Sequence, residues 1–325
     1  MSQAILFLWS STTLDLPRYK LCLTTGVGGS IEHQITAFGG ERAVPFQQAI
    51  PQSAAFSVVV SNYLQENTTQ NFLALLNVST IEEAQNASSE AVIMANALQV
   101  GGAAYGTFAY GPVVDGVFAP ATPGQLFSRG QFAQNVSVMV GHNTHEAPSF
   151  TLPIIQTDNE LRAWARLVFP GISDPIVDYL VETLYPAVYD GSYPYSSPID
   201  RIIRVVNDAA FVCNTNYMNK AFKNQTWAYE FQVPPALHGM DVSYTFYMGQ
   251  GTNLSAGLIA PVAEAMQGYI TNFAKNGNPN GPGLPFFPIQ GANATMLGIN
   301  ATYIEPQTDD TSNSRCAWWQ KALYY

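Results

Sequence analysis

Apolar runs and helical patterns alternate along the chain, and this alternation predicts an α/β protein with a mainly parallel sheet. Apolar, β-branched runs predict strands at residues 46–50 (ended by Pro51), 108–114, 136–141, 226–233 and 295–304. Apolar residues at helical spacing predict helices at residues 30–37, 81–98, 158–169, 174–185, 199–222, 262–275 and 316–324. The helices of the middle third predict a helical cap over one end of the sheet.

The first 25 residues lack the periodicity of the rest, and the pattern changes at Gly26. We therefore expect residues 1–25 to be an unrelated segment outside the fold and residues 26–325 to form one domain. The apolar run at 4–9 is shorter than the hydrophobic part of a signal peptide, and the first basic residue is Arg18. The sequence thus predicts no signal peptide in this chain.

Charged residues make up 11% of the 325 residues, and the net charge is −10 with a pI near 4.7. A nucleic-acid partner requires a basic surface, and the few basic residues are scattered, so this class is excluded. No run reaches the ~20 apolar residues that span a bilayer. The best candidate, at 91–114, is interrupted by Asn96, Gln99 and several glycines. We therefore expect no membrane span.

Eight Asn-x-Ser/Thr motifs occur, more than chance suggests, and glycans would solubilise a surface with so few charges. They predict that the parent protein is secreted. The predicted acceptors are Asn67, Asn77, Asn86, Asn135, Asn224, Asn253, Asn293 and Asn300.

If the protein is a hydrolase that uses a general base near neutral pH, the base is expected to be one of the four histidines of the chain. His33 lies on a short helix and is expected to pack or cap. His142, His145 and Glu146 have a spacing that could bind a metal, but they follow a buried strand and no further ligands cluster elsewhere, so we expect no metal. His238 follows the strand ended by two prolines, and Glu146 follows an earlier strand. This order of acid and then base is typical of an α/β-hydrolase.

Six stretches carry a resemblance to one family. They are GGSIEHQITAFGG at 28–40, PFQQAIPQS at 45–53, GPVVDG at 111–116, GHNTHE at 141–146, PPALHG at 234–239 and RCAWWQ at 315–320. Together they resemble the C-terminal part of a fungal type-B carboxylesterase or lipase, in the order that the family has. The resemblance implies an α/β-hydrolase fold that is incomplete, because the N-terminal strands are missing, with helical cap elements.

The resemblance also implies residue roles. The catalytic acid of the family corresponds to Glu146 and the catalytic base to His238, while the late disulfide of the family corresponds to Cys213 and Cys316. Cys22, the third cysteine, has no partner in this implied pairing. The implied substrate in the complete enzyme is a small apolar ester, and no cofactor is implied.

The chain departs from the family at the nucleophile. No Gly-x-Ser-x-Gly elbow occurs anywhere, and the upstream His-Gly-Gly loop that supplies oxyanion donors is also absent. An ungapped count places Thr25 at the serine position, with Leu23 and Val27 in place of the flanking glycines. Alternatively, the elbow begins at Gly26 and three residues, including the serine, are missing.

Two interpretations remain open. The chain is either an incomplete product of a serine-esterase gene, through splicing, gene decay or an error in the gene model, or a catalytically dead adhesion or binding protein of the same fold. Retention of both Glu146 and His238 favours the first. A tyrosine-rich segment at 185–195, with Phe246 and Tyr247, indicates either an aromatic substrate pocket or ordinary core.

Overall fold

A six-stranded sheet forms the centre of the molecule. The computed structural model describes residues 28–55, 61–249 and 257–324 in full and residues 19–25 by their backbone. The strands are β1 (Tyr19–Thr25), β2 (Phe46–Gln52), β3 (Ser137–Asn143), β4 (Trp227–Phe231), β5 (Thr295–Ile299) and β6 (Ile304–Thr308). They lie in the order of the chain; β1 to β5 pair in parallel and β6 pairs antiparallel to β5. The predicted α/β class with a mainly parallel sheet is confirmed.

Helices connect the parallel strands, and the last helix follows β6. They are α1 (Gly28–Thr36), α2 (Asn62–Leu75), α3 (Ile81–Gln85), α4 (Ser89–Gly101), α5 (Pro123–Ser128), α6 (Asp158–Val168), α7 (Asp174–Asp178), α8 (Pro198–Asn207), α9 (Cys213–Ala221), α10 (Met240–Thr245), α11 (Ala260–Asn276) and α12 (Ser314–Trp319). Two π-helical turns, Tyr179–Leu184 and Asp208–Val212, continue α7 and join α8 to α9. The predicted helices at 158–169, 174–185, 199–222 and 262–275 are therefore confirmed.

Both faces of the sheet are covered, because neighbouring side chains of a strand point to opposite faces. In β3, Val138 and Val140 join one apolar core together with helices α1, α9 and α12, whereas Met139 joins a second core beneath α10 and α11. Strands buried on both faces read as continuous apolar runs, which is why β3 was visible in the sequence.

One predicted strand is wrong. Residues 108–114 lie outside the six strands; Phe108 is 53% exposed and packs on Phe150, and the Tyr110 hydroxyl bonds the Gln99 side chain. Gly111 and Pro112 interrupt this run, and a proline cannot donate to a strand ladder. Two predicted boundaries also moved. Residues 81–98 form two helices, α3 and α4, and residues 295–304 contain β5 and the turn that leads into β6.

The start of the sheet also differs from expectation. The strand β1 lies within residues 1–25, which we expected outside the fold, yet its backbone pairs with β2 from Tyr19↔Phe46 to Thr25↔Gln52. Pro51 was expected to end β2, but the strand continues to Gln52. Ile50 and Pro51 have no paired position on β3, so the strand tolerates the backbone N–H that Pro51 lacks.

Cys213 and Cys316 form a disulfide that joins α9 to α12, with 4.9 Å between their Cα atoms. This is the pairing implied by the family resemblance. Both cysteines are buried, so the bridge lies within the core that covers one face of the sheet.

The predicted glycan acceptors differ in exposure. Asn67, Asn77, Asn86, Asn135 and Asn293 are exposed. Asn224 is half-buried, and the Asn300 side chain donates to the carbonyl of Gln232. Asn253 lies outside the described residues. Among the residues described, no helix combines the length and apolar character that crossing a bilayer requires.

Candidate active site

Polar side chains gather at the carboxyl edge of the parallel strands, where α/β sheets place their chemistry. Ser53 follows β2 directly, Glu146 follows β3 by three residues, and His238 lies in the loop between β4 and α10. An isolated bridge between His145 and Leu237 ties the loops after β3 and β4 together. This bridge brings the predicted acid and the predicted base into one place.

Glu146 and His238 form a hydrogen-bonded pair. The Glu146 Oε2 lies 2.5 Å from the His238 Nδ1. The Glu146 side chain is completely buried, whereas the His238 side chain is 22% exposed. A carboxylate on Nδ1 fixes the tautomer and the orientation of the imidazole, and it leaves Nε2 as the ring nitrogen that can act as a base.

The pKa values of the pair move apart. Burial by itself would raise the pKa of Glu146, but the hydrogen bond and charge of His238, together with bonds from Ser53 and Asn143, outweigh it and hold the pKa below its usual range. Burial would likewise lower the pKa of His238, but the Glu146 carboxylate outweighs it and raises the pKa. The pair therefore favours an ionised carboxylate beside a basic imidazole.

The second oxygen of Glu146 is held by donors. The Ser53 hydroxyl donates to Oε1 over 2.7 Å, and the Asn143 backbone N–H donates to the same oxygen over 2.6 Å. The Asn143 side-chain amide lies 3.3 Å from Oε1 as well. These donors fill Oε1 and leave Oε2 to His238.

A second buried carboxylate lies behind this pair. Asp241, the second residue of α10, is completely buried, and its Oδ1 accepts from the Asn143 side-chain amide over 3.2 Å. Its Oδ2 accepts from the Tyr229 hydroxyl over 3.2 Å and from the Gln52 amide over 3.3 Å. Burial, and next the charge of Glu146, raise the pKa of Asp241 to about 6.

A glycine makes room for the tyrosine of this network. A Cβ at Gly141 in β3 would lie 2.0 Å from Cζ of the Tyr229 ring, which crosses it from β4. Glycine is therefore required at this position if the Tyr229 hydroxyl is to reach Asp241.

Aromatic rings pack against His238. Phe150 lies edge-on to His238 with 5.2 Å between ring centroids, and Phe211 lies at 5.0 Å. These rings exclude water from much of the imidazole and fix its plane. Tyr185 does not contribute to a pocket here, because it is buried and bonded to Asp208 and Trp319 in the core.

The remaining histidines lie apart from the pair. His33 is buried in α1, and burial lowers its pKa to about 4. His142 is buried in β3 with its Nδ1 against the carbonyl of Asn143, and His145 is exposed. Both line a cavity of about 520 Å³ that Glu230 and Arg204 also line.

A nucleophile elbow would lie between β1 and α1, since an elbow joins a strand to a helix. The strand ends at Thr25, which pairs in register with Gln52 beside Ser53, and the helix begins at Gly28. A Cβ at Gly28 would lie 2.6 Å from the carbonyl oxygen of Gln52. The first residue of the helix therefore lies close to the end of β2.

Residues 26–319 match the carboxylesterase family. The chain belongs to this family. It is 33% identical over 313 residues to carboxylesterase patB of Penicillium expansum, a match that covers 95% of this chain and 55% of the relative. It is 34% identical over 312 residues to carboxylesterase patB of Aspergillus clavatus, a match that covers 95% of this chain and 56% of the relative. Carboxylesterase 1C of Rattus norvegicus is 24% identical over 86% of the chain and 54% of its own length. The chain thus spans about half the length of these carboxylesterases.

Solved structures show the same fold. The crystal structure of Aspergillus niger EstA matches with a TM-score of 0.75 at 17% identity, over 91% of this chain and 62% of that one. A PNB esterase matches with a TM-score of 0.67 at 18% identity, over 90% of this chain and 61% of that one. The chain therefore has the α/β-hydrolase fold of these esterases.

The structure brings the predicted residues Glu146 and His238 together, and around them it places Ser53, Asn143 and Asp241, which the sequence analysis did not predict. Ser53 lay within a stretch that carried the family resemblance, and Asn143 and Asp241 each lay within three residues of a predicted site residue. Nothing in their local pattern showed that three separate segments meet. Ser53 carries one signal in the structure, a positive φ of 47°, which is uncommon for a non-glycine residue.

Proposed function

We propose that this carboxylesterase-family chain carries the acid and the base of a serine-type ester hydrolase site and lacks the nucleophile, so that it does not hydrolyse esters as written. The observation that supports this most is the Glu146–His238 pair at the carboxyl edge of the sheet. In such a site, His238 takes a proton from a hydroxyl nucleophile and returns it to the leaving alcohol, and Glu146 stabilises the imidazolium. The substrate class that fits the family is a small apolar ester.

No serine of the described residues replaces the missing nucleophile near this pair. Ser53 is completely buried, and its hydroxyl donates to the carboxylate of Glu146. Ser30 is exposed on α1, two residues beyond the first residue of that helix. Thr25 ends β1, and a threonine would fit an elbow poorly, because its β-methyl group would crowd the strained turn that an elbow needs.

Ester hydrolysis tests the proposal directly. The purified chain should not hydrolyse p-nitrophenyl butyrate, and a fluorophosphonate probe should not label it. A variant with the elbow rebuilt, Leu23→Gly with Thr25→Ser and Val27→Gly, should be labelled. That labelling should disappear with His238→Ala and persist with His145→Ala, because His145 is exposed and its ring makes no hydrogen bond to Glu146 in the described part of the chain.

Two outcomes would contradict the proposal. Turnover by the unmodified chain that His238→Ala abolishes would reveal a nucleophile outside the elbow. Absence of labelling in the folded, rebuilt variant would show that Glu146 and His238 do not activate a serine at this end of the sheet, and the proposed acid and base roles would fail.

We also propose that the parent protein is a secreted glycoprotein. Its folded domain would comprise residues 26–325 together with the strand β1. The five exposed acceptor asparagines support this. Expression in a secreting fungal host followed by endoglycosidase treatment should lower the apparent mass. Peptide mapping should find more glycan at Asn135 than at Asn300, because the amide of Asn300 donates to Gln232 in the fold. An unchanged mass would contradict the proposal.

A further inference from the structure

We propose that Asp241 is a positioning residue that orients the Glu146 carboxylate toward His238 through the side-chain amide of Asn143. This inference rests on the proposed roles of Glu146 and His238 as acid and base. It adds a residue from a different element, α10, that does not contact the base through a hydrogen bond.

The hydrogen bonds around Asn143 have a direction. Its Nδ2 lies 3.2 Å from Asp241 Oδ1, 3.2 Å from Ser53 Oγ and 3.3 Å from Glu146 Oε1. A side-chain amide nitrogen only donates, and its oxygen only accepts. The ionised Asp241 and Glu146 carboxylates accept only, so they turn the Asn143 nitrogen toward themselves.

The orientation of Asn143 determines what Ser53 does. Because Asn143 donates to the Ser53 oxygen, the Ser53 hydroxyl hydrogen is directed to Glu146 Oε1 at 2.7 Å. Oε1 is thereby occupied, and Oε2 faces His238 Nδ1. Loss of the Asp241 carboxylate would allow the side-chain amide of Asn143 to rotate. Ser53 would then lose the hydrogen bond from Asn143, and the Ser53 hydroxyl would no longer be directed to Glu146.

Asp241 is held firmly enough to act in this way. It is completely buried, and Tyr229 from β4 and Gln52 from β2 both donate to its Oδ2. The titratable groups that face it are Tyr229, Glu146 and His238, and burial and the Glu146 charge raise its pKa to about 6. A buried carboxylate beside another carboxylate costs free energy, and such groups occur preferentially at functional sites.

The imidazole of His238 reports on this arrangement without any need for turnover. In the unmodified protein, NMR should show a far-downfield Nδ1 proton that is lost in Glu146→Gln. Asp241→Asn should move this proton upfield and lower the pKa of His238 by roughly 0.5–1 unit. Asp309→Asn is the matched control, since Asp309 is also buried but bonds Gln290 and Thr311 instead, and it should leave both signals in place.

A double-mutant cycle separates positioning from a simple charge effect. Asn143→Ala removes the link but keeps the Asp241 charge. If Asp241 acts through Asn143, then adding Asp241→Asn to Asn143→Ala should change the Nδ1 proton shift little further. Additive shifts would overturn the inference, as would an unchanged Nδ1 proton in folded Asp241→Asn.

If Asp241→Asn does not fold, Tyr229→Phe tests the same point, because it removes one donor to Asp241 and should move the same proton upfield by less. An unmoved proton in Tyr229→Phe would then overturn the inference. Absence of the downfield proton from the unmodified protein would overturn the Glu146–His238 pair itself and thus the proposed function as well. The two failures are therefore distinguishable.

Discussion

Replacing Asp241 with asparagine should change how the stability of the protein depends on pH. The pKa of this carboxyl is about 6 in the folded protein against 3.8 for an unperturbed aspartate, because it is buried near Glu146. Between these two values the folded state holds a proton that the unfolded state has lost. Ionisation of Asp241 therefore opposes folding, and its contribution to stability falls as pH rises from about 4 to about 6.

The magnitude follows from the two pKa values. Each pKa unit corresponds to 1.36 kcal/mol, so the full penalty at neutral pH is about 3 kcal/mol. About 1 kcal/mol of it is present near pH 4.5 and nearly all of it near pH 7.5. The difference in unfolding free energy between Asp241→Asn and the unmodified protein should therefore shift by about 2 kcal/mol in favour of the variant over this range.

Urea unfolding of both proteins at several pH values, with the disulfide intact, measures this difference. The lost hydrogen bonds of Asp241 lower the stability of the variant by an amount that does not depend on pH, so only the change with pH is diagnostic. Thr245→Val is the matched control: it removes an acceptor of Gln52 from the same network but no titrating group. Parallel pH profiles for Asp241→Asn and the unmodified protein would refute the reasoning.

Two further predictions concern packing and the disulfide. Gly141→Ala should destabilise the protein by about 3 kcal/mol, because the added Cβ would overlap the Tyr229 ring. The control is Gly101→Ala, which has open space around the added Cβ and should change thermal stability little. Equal melting temperatures of the two variants would contradict this prediction. Replacing both Cys213 and Cys316 with alanine should lower the urea-unfolding free energy by about 4–5 kcal/mol, since the bridge closes a loop across 103 positions of sequence separation. A reductant should destabilise the unmodified protein but not the double variant, and equal sensitivity of the two would refute the role of the bridge.

Much of the fold could be predicted from local pattern. The strand β3 is an apolar run because it is buried on both faces, and α6 follows its predicted bounds because Thr157 and Glu160 form a capping box at its start. The pattern failed at residues 108–114. Their apolar composition resembles a strand, but local composition does not tell whether an edge of the sheet is available for pairing.

The candidate site was partly visible in the same way. Glu146 and His238 each follow a strand, and parallel strands bring their carboxyl ends to one edge, so the order of the two residues along the chain already suggested an acid and a base. The residues that surround Glu146 gave no such signal. Asn143 and Asp241 are 98 positions apart, and a hydrogen bond between them depends on how β3 and α10 meet.

The sequence by itself therefore determined the α/β class, the family resemblance, the choice of Glu146 and His238 as candidates for acid and base, and the absence of a Gly-x-Ser-x-Gly motif, because each of these depends on residue identity or on short-range periodicity. Only the tertiary structure decided that Tyr19–Thr25 pairs with β2, that Ser53 and Asn143 donate to Glu146, and that Asp241 accepts from Asn143. These contacts depend on strand register and on close approaches like that of Tyr229 over Gly141, which are set by the packing of the whole sheet.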